Sequence, residues 1–216
     1  MAAENKQPSR AEWQQALAAR QGADLADKLQ AAAVAVCGLG GLGSNIALAL
    51  ARAGVGRLLL LDFDRVDLSN LHRQQYKAAQ IGQYKATALA QNLHEIAPYV
   101  QTVPLTVKLT ADNLAELLGS AAIVCEAFDQ PESKAMLVEG VLSNWPDKYL
   151  LAASGMAGLV SANAIHTRRV SSHFYLCGDE VSDVADCGAL FAPRVMLCAA
   201  HQALMVVRII AGELEA

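Results

Sequence analysis

Aromatic residues are scarce in this chain, at 5% of its 216 positions, so Ala, Leu and Val have to fill the interior. Charged residues are few as well, 18% against 54% apolar, and that balance excludes a disordered chain. Positive charge is not in excess: 17 Lys and Arg face 21 Asp and Glu, giving a net −4 and an isoelectric point near 5.7. Such a chain has no general attraction for nucleic acid or anionic membrane, so any phosphate must be met by local charges. The opening residues, MAAENKQPSRAEW, lack the apolar centre of a signal peptide. The longest apolar stretch, Val195 to Ile210, is broken by His201, Gln202 and Arg208, which argues against a membrane span. None of the five cysteines forms a Cys-x-x-Cys pair. Reduced thiols in a cytoplasmic protein are therefore expected. His173, Cys177, Cys187 and His201 have no spacing of a standard zinc site, and no zinc is expected.

What the chain does have is an alternation of apolar strands and amphipathic helices. Residues 1–30 are expected to form an N-terminal helical segment, with an Ala-rich face over 11–30 and no strong caps. Residues 31–216 are expected to form a single domain. Strands are predicted at 33–37, 57–61, 100–107, 121–127 and 149–153, and helices at 45–53, 83–95, 111–118, 132–143 and 194–211. Repeated β-α units with short joins give an α/β fold, a Rossmann-like sheet, parallel in its N-terminal part, with helices on both faces. Its ligands belong at the carboxyl ends of the strands. Between about 171 and 193 the periodicity stops, and that segment, with four carboxylates and two cysteines, is expected to be a long functional loop.

Gly38-x-Gly40-x-x-Gly43 lies between an apolar strand and a helix, the setting that a dinucleotide fingerprint requires. The first glycine allows a tight turn, the second lets backbone N–H groups approach a phosphate, and the third lets helix and strand pack closely. Asp62 follows 24 residues after Gly38, at the end of the second strand, where a carboxylate can reach ribose hydroxyls. The same pattern serves nicotinamide cofactors and ATP alike, and glycines can also serve a tight turn alone. Ser44 stands where a P-loop would carry its lysine. The loop thus offers backbone dipoles and no cation.

Cations are found farther along. Asn70, Arg73 and Gln74 place three polar donors within five positions, directly after the stretch that holds Asp62 and Asp64. Lys85 opens a helix, where a positive charge opposes the macrodipole and so needs another reason to be present. Asp129 is expected to close the fourth strand, a position fit for Mg²⁺. Singly, Arg73 and Lys85 read as solvated surface charges and Asp129 as a helix cap. Together they put two cations and a metal-type carboxylate at the sheet edge that carries the glycine loop. A hydride-transfer site, the alternative for a dinucleotide-binding oxidoreductase, has no need of them.

The order GxGGxGS, D-x-D-x-V-x-x-S-N-L-x-R-Q, G-x-x-K-A and a strand leading to Asp resembles the E1-like superfamily, and within it the ThiF/MoeB adenylyltransferases. The stretches SNIALALARAGVG, SNLHRQQY, CEAFDQPESKAMLVE, AASGMAG, FYLCGDE and APRVMLCAAHQA are most similar to the short ThiF branch of thiamine biosynthesis. The resemblance spans about residues 28–212. It implies ATP over Gly38, Gly40, Gly41 and Gly43, with Asp62 on the ribose and Asp64 nearby. It further implies phosphate contacts from Asn70, Arg73, Gln74 and Lys85, and Mg²⁺ on Asp129. The implied reaction is adenylylation of the C-terminal glycine carboxylate of a ubiquitin-like sulfur carrier, ThiS or one of the molybdopterin or cysteine pathways. A homodimer is implied, with Arg20 contributed in trans, and so is a sulfur-donor protein. Cys187, in the 171–193 loop, falls near the position where relatives carry a sulfur-handling cysteine, and Cys177 is the other candidate. Asp186 beside it disfavours a thiolate, and Cys37, Cys125 and Cys198 are expected as core hydrophobes.

Overall fold

The runs Val34–Cys37 and Leu58–Leu61 have no polar face to show to water, and a computed structural model, which describes residues 7–216, buries both faces of each. In chain order the elements are α1 (Arg10–Gln21), α2 (Ala23–Ala31), β1 (Ala33–Cys37), α3 (Gly41–Ala53), β2 (Arg57–Leu61) and α4 (Lys85–Ile96). Then come β3 (Gln101–Leu105), α5 (Leu114–Leu118), β4 (Ile123–Glu126), α6 (Pro131–Asn144) and β5 (Tyr149–Ala153). The chain continues through β6 (His166–Arg169), β7 (Phe174–Gly178), α7 (Val184–Cys187) and α8 (Ala192–Ala211).

These strands form a seven-stranded sheet in the order β3-β2-β1-β4-β5-β7-β6, parallel except for the antiparallel pair β6–β7. The α/β, Rossmann-like expectation therefore holds. Alternate strand residues feed two cores. Val34, Val36, Leu58 and Leu60 pack with Ile46, Leu50, Leu89 and Val206 of α3, α4 and α8 on one face. On the other, Ala35, Leu59 and Leu61 pack with Leu114, Leu118, Leu137 and Val141 of α5 and α6. By length and composition α8 could cross a membrane, but half of it is buried, packed on α3 and the sheet.

Strand order reverses direction between β1 and β4, so the connections leaving their carboxyl ends diverge and open a crevice there. The glycine loop lines it. Gly38 has φ +89°, and a Cβ on it would come within 2.7 Å of the Ala127 carbonyl oxygen. At Gly43 a Cβ would lie 1.8 Å from the Gly38 carbonyl oxygen, so only hydrogen lets α3 sit this close to the end of β1.

Three expectations need correction. The N-terminal helical segment, of which residues 1–6 lie outside the described residues, is two helices broken at Gly22 (φ +87°). Its start is strongly capped: Ser9 and Glu12 form a reciprocal capping box. The expected loop at 171–193 begins with a strand, because Phe174–Gly178 pairs with β5 and buries Tyr175 and Cys177 fully. Only the stretch after Gly178 is loop, with α7 inside it. Finally, β4 ends at Glu126, so Asp129 lies three residues beyond the strand that it was expected to close.

Gly43→Ala is expected to cost about 3 kcal/mol of folding stability through overpacking. Urea denaturation of the purified variant measures it, as a lower midpoint with unchanged slope.

Candidate functional site

At the switch point lies a cavity of about 580 Å³, within the range of small-molecule sites. Its floor is the first turn of α3. Gly40 precedes the helix and Gly41 opens it, so unpaired backbone N–H groups and the positive end of the helix dipole face the cavity. A Cβ on Gly40 would meet nothing nearer than Gln74 Nε2 at 3.7 Å, which leaves the backbone open to a ligand. Ser44, at the position of a P-loop lysine, is fully buried and donates to the Gly40 carbonyl at 2.6 Å.

That serine and its neighbour stitch the polar segment after β2 onto α3. Ser44 Oγ accepts from the Gln75 backbone N–H at 3.1 Å. Asn45 Nδ2 donates to the carbonyls of Gly41 (2.6 Å) and Arg73 (3.3 Å), and Gln75 Nε2 donates to Asn45 Oδ1 at 2.7 Å. The Tyr76 hydroxyl adds a bond to the Leu39 carbonyl at 2.7 Å. Held this way, Arg73 crosses directly over Gly41, where a Cβ would lie 3.2 Å from its Cγ. Its guanidinium donates to Asn70 Oδ1 at 3.0 Å. Gln74 is buried beside it, and its Oε1 has no partner among the described residues. An orphaned polar atom of this kind in a cavity wall calls for a ligand or water.

Lys85 is the first residue of α4, with its side chain 7% exposed. Its Nζ lies 2.9 Å from Asp64 Oδ2 and 3.9 Å from Asp62 Oδ2, and these carboxylates offset the unfavourable helix dipole. Asp62 is also buried. Burial pushes its carboxyl up, and Lys85 and the backbone N–H groups of Asp64 and Leu39 only partly counter that. Each of its oxygens accepts one of those N–H groups, at 2.8 and 2.7 Å, which fixes the carboxylate at the cavity edge. Asp64 is half exposed.

Asp129 lines the same cavity and is exposed, with no hydrogen bond or ion pair among the described residues. No group of three or more His, Cys, Asp or Glu converges on a metal position among the described residues. A single open carboxylate fits Mg²⁺ only as an ion that keeps other ligands from water and phosphate.

Two ion pairs at this cavity carry no signal in the sequence, and one of them brings Lys134 into the cavity lining. Glu126, 1% exposed at the end of β4, accepts from Lys134 Nζ at 3.1 and 3.0 Å, and Lys134 also donates to the Ala153 carbonyl. Asp179 pairs with Arg194 of α8, each side chain 6% exposed. The Glu126–Lys134 spacing of eight residues runs from a strand end into a helix, and no local period marks such a pair.

Two expected residues lie elsewhere. Cys187 is partly buried against Gly158, where a Cβ would touch its own Cβ at 2.8 Å, and it does not line the cavity. Arg20 is exposed at the end of α1, whose Gln21 bonds the Ala53 carbonyl at the far end of α3. The thirteen residues of α3 span roughly 20 Å, so within this chain Arg20 is not brought to the glycine loop. Cys37, Cys125, Cys177 and Cys198 are buried free thiols, and burial pushes Cys177 up to about 11.

With this geometry in hand, similarity to known proteins is specific. Residues 13–216 match the ThiF family. The molybdopterin-synthase adenylyltransferase of Salmonella typhimurium is 31% identical over 191 residues, which is 86% of this chain and 75% of that protein. The adenylyltransferase and sulfurtransferase MOCS3 of Caenorhabditis briggsae is 33% identical over 85% of this chain. The chain spans about half the length, 46%, of that second relative. Among solved structures, E. coli tRNA N6-threonylcarbamoyladenosine dehydratase, TcdA, in complex with ATP, superposes with a TM-score of 0.83. That match covers 95% of this chain and 97% of TcdA at 22% identity, and so bears on the fold.

Removing Lys134 tests the buried pair beneath the cavity. Lys134→Met should cost about 3–5 kcal/mol at pH 8, because Glu126 is left charged without a partner. Burial already pushes the Glu126 carboxyl up, against the pull of Lys134, and losing Lys134 pushes it further. A carboxyl raised in the folded state stabilises it below the unfolded value near 4.5 and loses that effect as pH rises through the folded value. The variant should therefore recover stability relative to the parent as pH falls from 8 toward 5, as urea midpoints at the two pH values would report.

Proposed function

The chain belongs to the ThiF family, and from that premise we propose that it is an ATP-dependent adenylyltransferase acting on the C-terminal glycine carboxylate of a small ubiquitin-like sulfur carrier. One observation carries this reading. The glycine loop has no cation of its own, yet Arg73 and Lys85, from two other segments, line the cavity that it floors. A triphosphate needs that combination and a nicotinamide hydride transfer does not.

ATP would lie with its phosphates over the backbone N–H groups of Gly40 and Gly41. Its ribose would face Asp62 and Asp64, and its base the apolar side chains Phe63 and Leu109 at the cavity's other end. Arg73 and the Asn70 amide N–H would move onto phosphate oxygens, Lys85 would turn to them from Asp64, and Gln74 Nε2, which faces Gly40, would donate to them. Mg²⁺, held by Asp129 and the nucleotide, would supply charge neutralisation at the phosphates. The carrier carboxylate attacks the α-phosphorus, the bond to the bridging oxygen of the β-phosphate breaks, and acyl-adenylate and pyrophosphate result. No enzyme side chain need form a covalent bond. The protein contributes alignment and electrostatic stabilisation of the phosphoryl oxygens and the leaving group.

Among carriers we propose the ThiS type, on the stretches similar to the short ThiF branch and the lack of Cys-x-x-Cys pairs. A homodimer in which Arg20 reaches the partner's phosphate site belongs to the same proposal. Cys187, outside the cavity lining, takes no part in the adenylation step.

Arg73→Ala is expected to lower the adenylation rate about 10²–10³-fold, the loss typical of one electrostatic donor to a developing charge. ATP–pyrophosphate exchange with ThiS-type and molybdopterin-type carriers side by side measures this and ranks the carriers. Near-parental exchange by Arg73→Ala, or NAD binding with no response to ATP, contradicts the reading.

A further inference from the structure

Part of the cavity wall is made by Ser154–Ala157 after β5 and by Ser182–Val184 in the loop after β7. These segments carry no positive charge, mostly short side chains beside Met156, and one carboxylate, Asp183, so they are not built for phosphate. Both are tied to one buried guanidinium. Arg194, at the start of α8, donates through Nη1 to the carbonyls of Val160 (2.6 Å) and Ser161 (2.9 Å) and through Nη2 to Asp179 Oδ2. The other oxygen of Asp179 accepts the backbone N–H groups of Val181 (3.0 Å) and Ser182 (2.8 Å) and the Ser182 hydroxyl (3.0 Å). Ser182 Oγ in turn accepts the Ala157 N–H at 3.0 Å.

The backbone is shaped around this pair. Gly155 has φ +78°, and a Cβ there would lie 2.0 Å from Asp179 Oδ1, so the wall can approach the carboxylate only as glycine. Glu180 adopts a left-handed φ of +59°, the only non-glycine to do so among the described residues. Such a residue persists where its surroundings over-determine it. Here Arg168 holds Glu180 from outside through two bonds at 2.8 and 2.7 Å. Farther along, His72, next to Arg73, meets the Leu190 carbonyl at 3.3 Å, and Gly158 donates to the Ala189 carbonyl at 2.8 Å. The loop from 179 to 190 is thus fixed at its start and its end.

We propose that the Asp179–Arg194 pair is a positioning device for the second substrate: it holds the cation-free wall along which the carrier's extended C-terminal tail lies, and it has no part in holding the nucleotide. This rests on the reading of the chain as a carrier adenylyltransferase. Asp179 and Arg194 do not line the cavity, so they act through Ser182, Gly155 and Ala157. Burial alone pushes the Asp179 carboxyl up, but its bonds from Ser182, Val181 and Arg194 together hold it below the usual carboxylate range, which keeps the pair charged at neutral pH.

Exchange kinetics of Asp179→Asn, with Ser182→Ala as a milder variant should the first fail to fold, provide the test. KM for the carrier should rise tenfold or more in Asp179→Asn and severalfold in Ser182→Ala. KM for ATP should stay within twofold and kcat at saturating carrier within threefold. Arg194→Lys, which keeps the charge but not the fork, should fall between the parent and Asp179→Asn. Equal loss for both substrates, or an unchanged carrier KM in folded variants, overturns the proposal. Should the parent catalyse no exchange with any carrier, the functional reading fails instead. Hydrogen exchange then decides on the device itself: faster exchange over 155–161 and 179–191 with residues 38–44 unchanged upholds it, and no difference overturns it.

Discussion

Lys85 occupies a place that electrostatics makes unfavourable, buried in the first turn of a helix whose dipole repels it. It is held there by Asp64 at 2.9 Å and Asp62 at 3.9 Å, the two carboxylates that follow β2. The arrangement stores a cation beside a glycine loop that has none. Asp62 also fixes the loop itself, since its other contacts are the N–H groups of Leu39 and Asp64. One small cluster of charges therefore links the end of β2, the turn after β1 and the start of α4.

The sheet topology makes this cluster possible. Connections from β1 and β4 diverge, and the cavity between them receives side chains from segments far apart in sequence. Ser44, Asn45, Gln75 and Tyr76 carry no chemistry of their own on the proposed reading. They fasten the segment bearing Arg73 onto α3, so that its guanidinium stands over the helix start. Asp179 and Arg194 do the corresponding work for a wall without a cation. The two halves of the cavity differ as the two proposed substrates differ.

Most of the parallel sheet was legible in the sequence, because short, fully apolar runs such as Val34–Cys37 and Leu58–Leu61, next to glycine turns, fit buried strands. Gly38 and Gly43 were legible too, since each meets a steric demand that the structure displays. What escaped detection shares a physical cause. Phe174–Gly178 is a short strand near the sheet edge, preceded by Ser171, Ser172 and His173 and followed by Asp179 and Glu180, polar neighbours that mask its burial. Ser9 and Glu12 announce a capping box by spacing, yet the helix behind them buries no residue and so offers no apolar period to anchor the pattern. Glu126–Lys134 and Asp179–Arg194 are pairs made by tertiary folding, invisible to any local rule. Asp129 was recognised, but the strand before it ends early because Glu126 turns inward to its lysine and accepts the Phe128 N–H at 2.7 Å.

A crystal structure with a non-hydrolysable ATP analogue and Mg²⁺ is the most direct measurement of the central claim, that cations from outside the glycine loop neutralise the triphosphate. Arg73 and Lys85 are expected within hydrogen-bonding distance of phosphate oxygens, and Asp129 on the metal. A nucleotide bound in the cavity while Arg73 stays on Asn70, Lys85 stays on Asp64 and Asp129 holds no metal would contradict it.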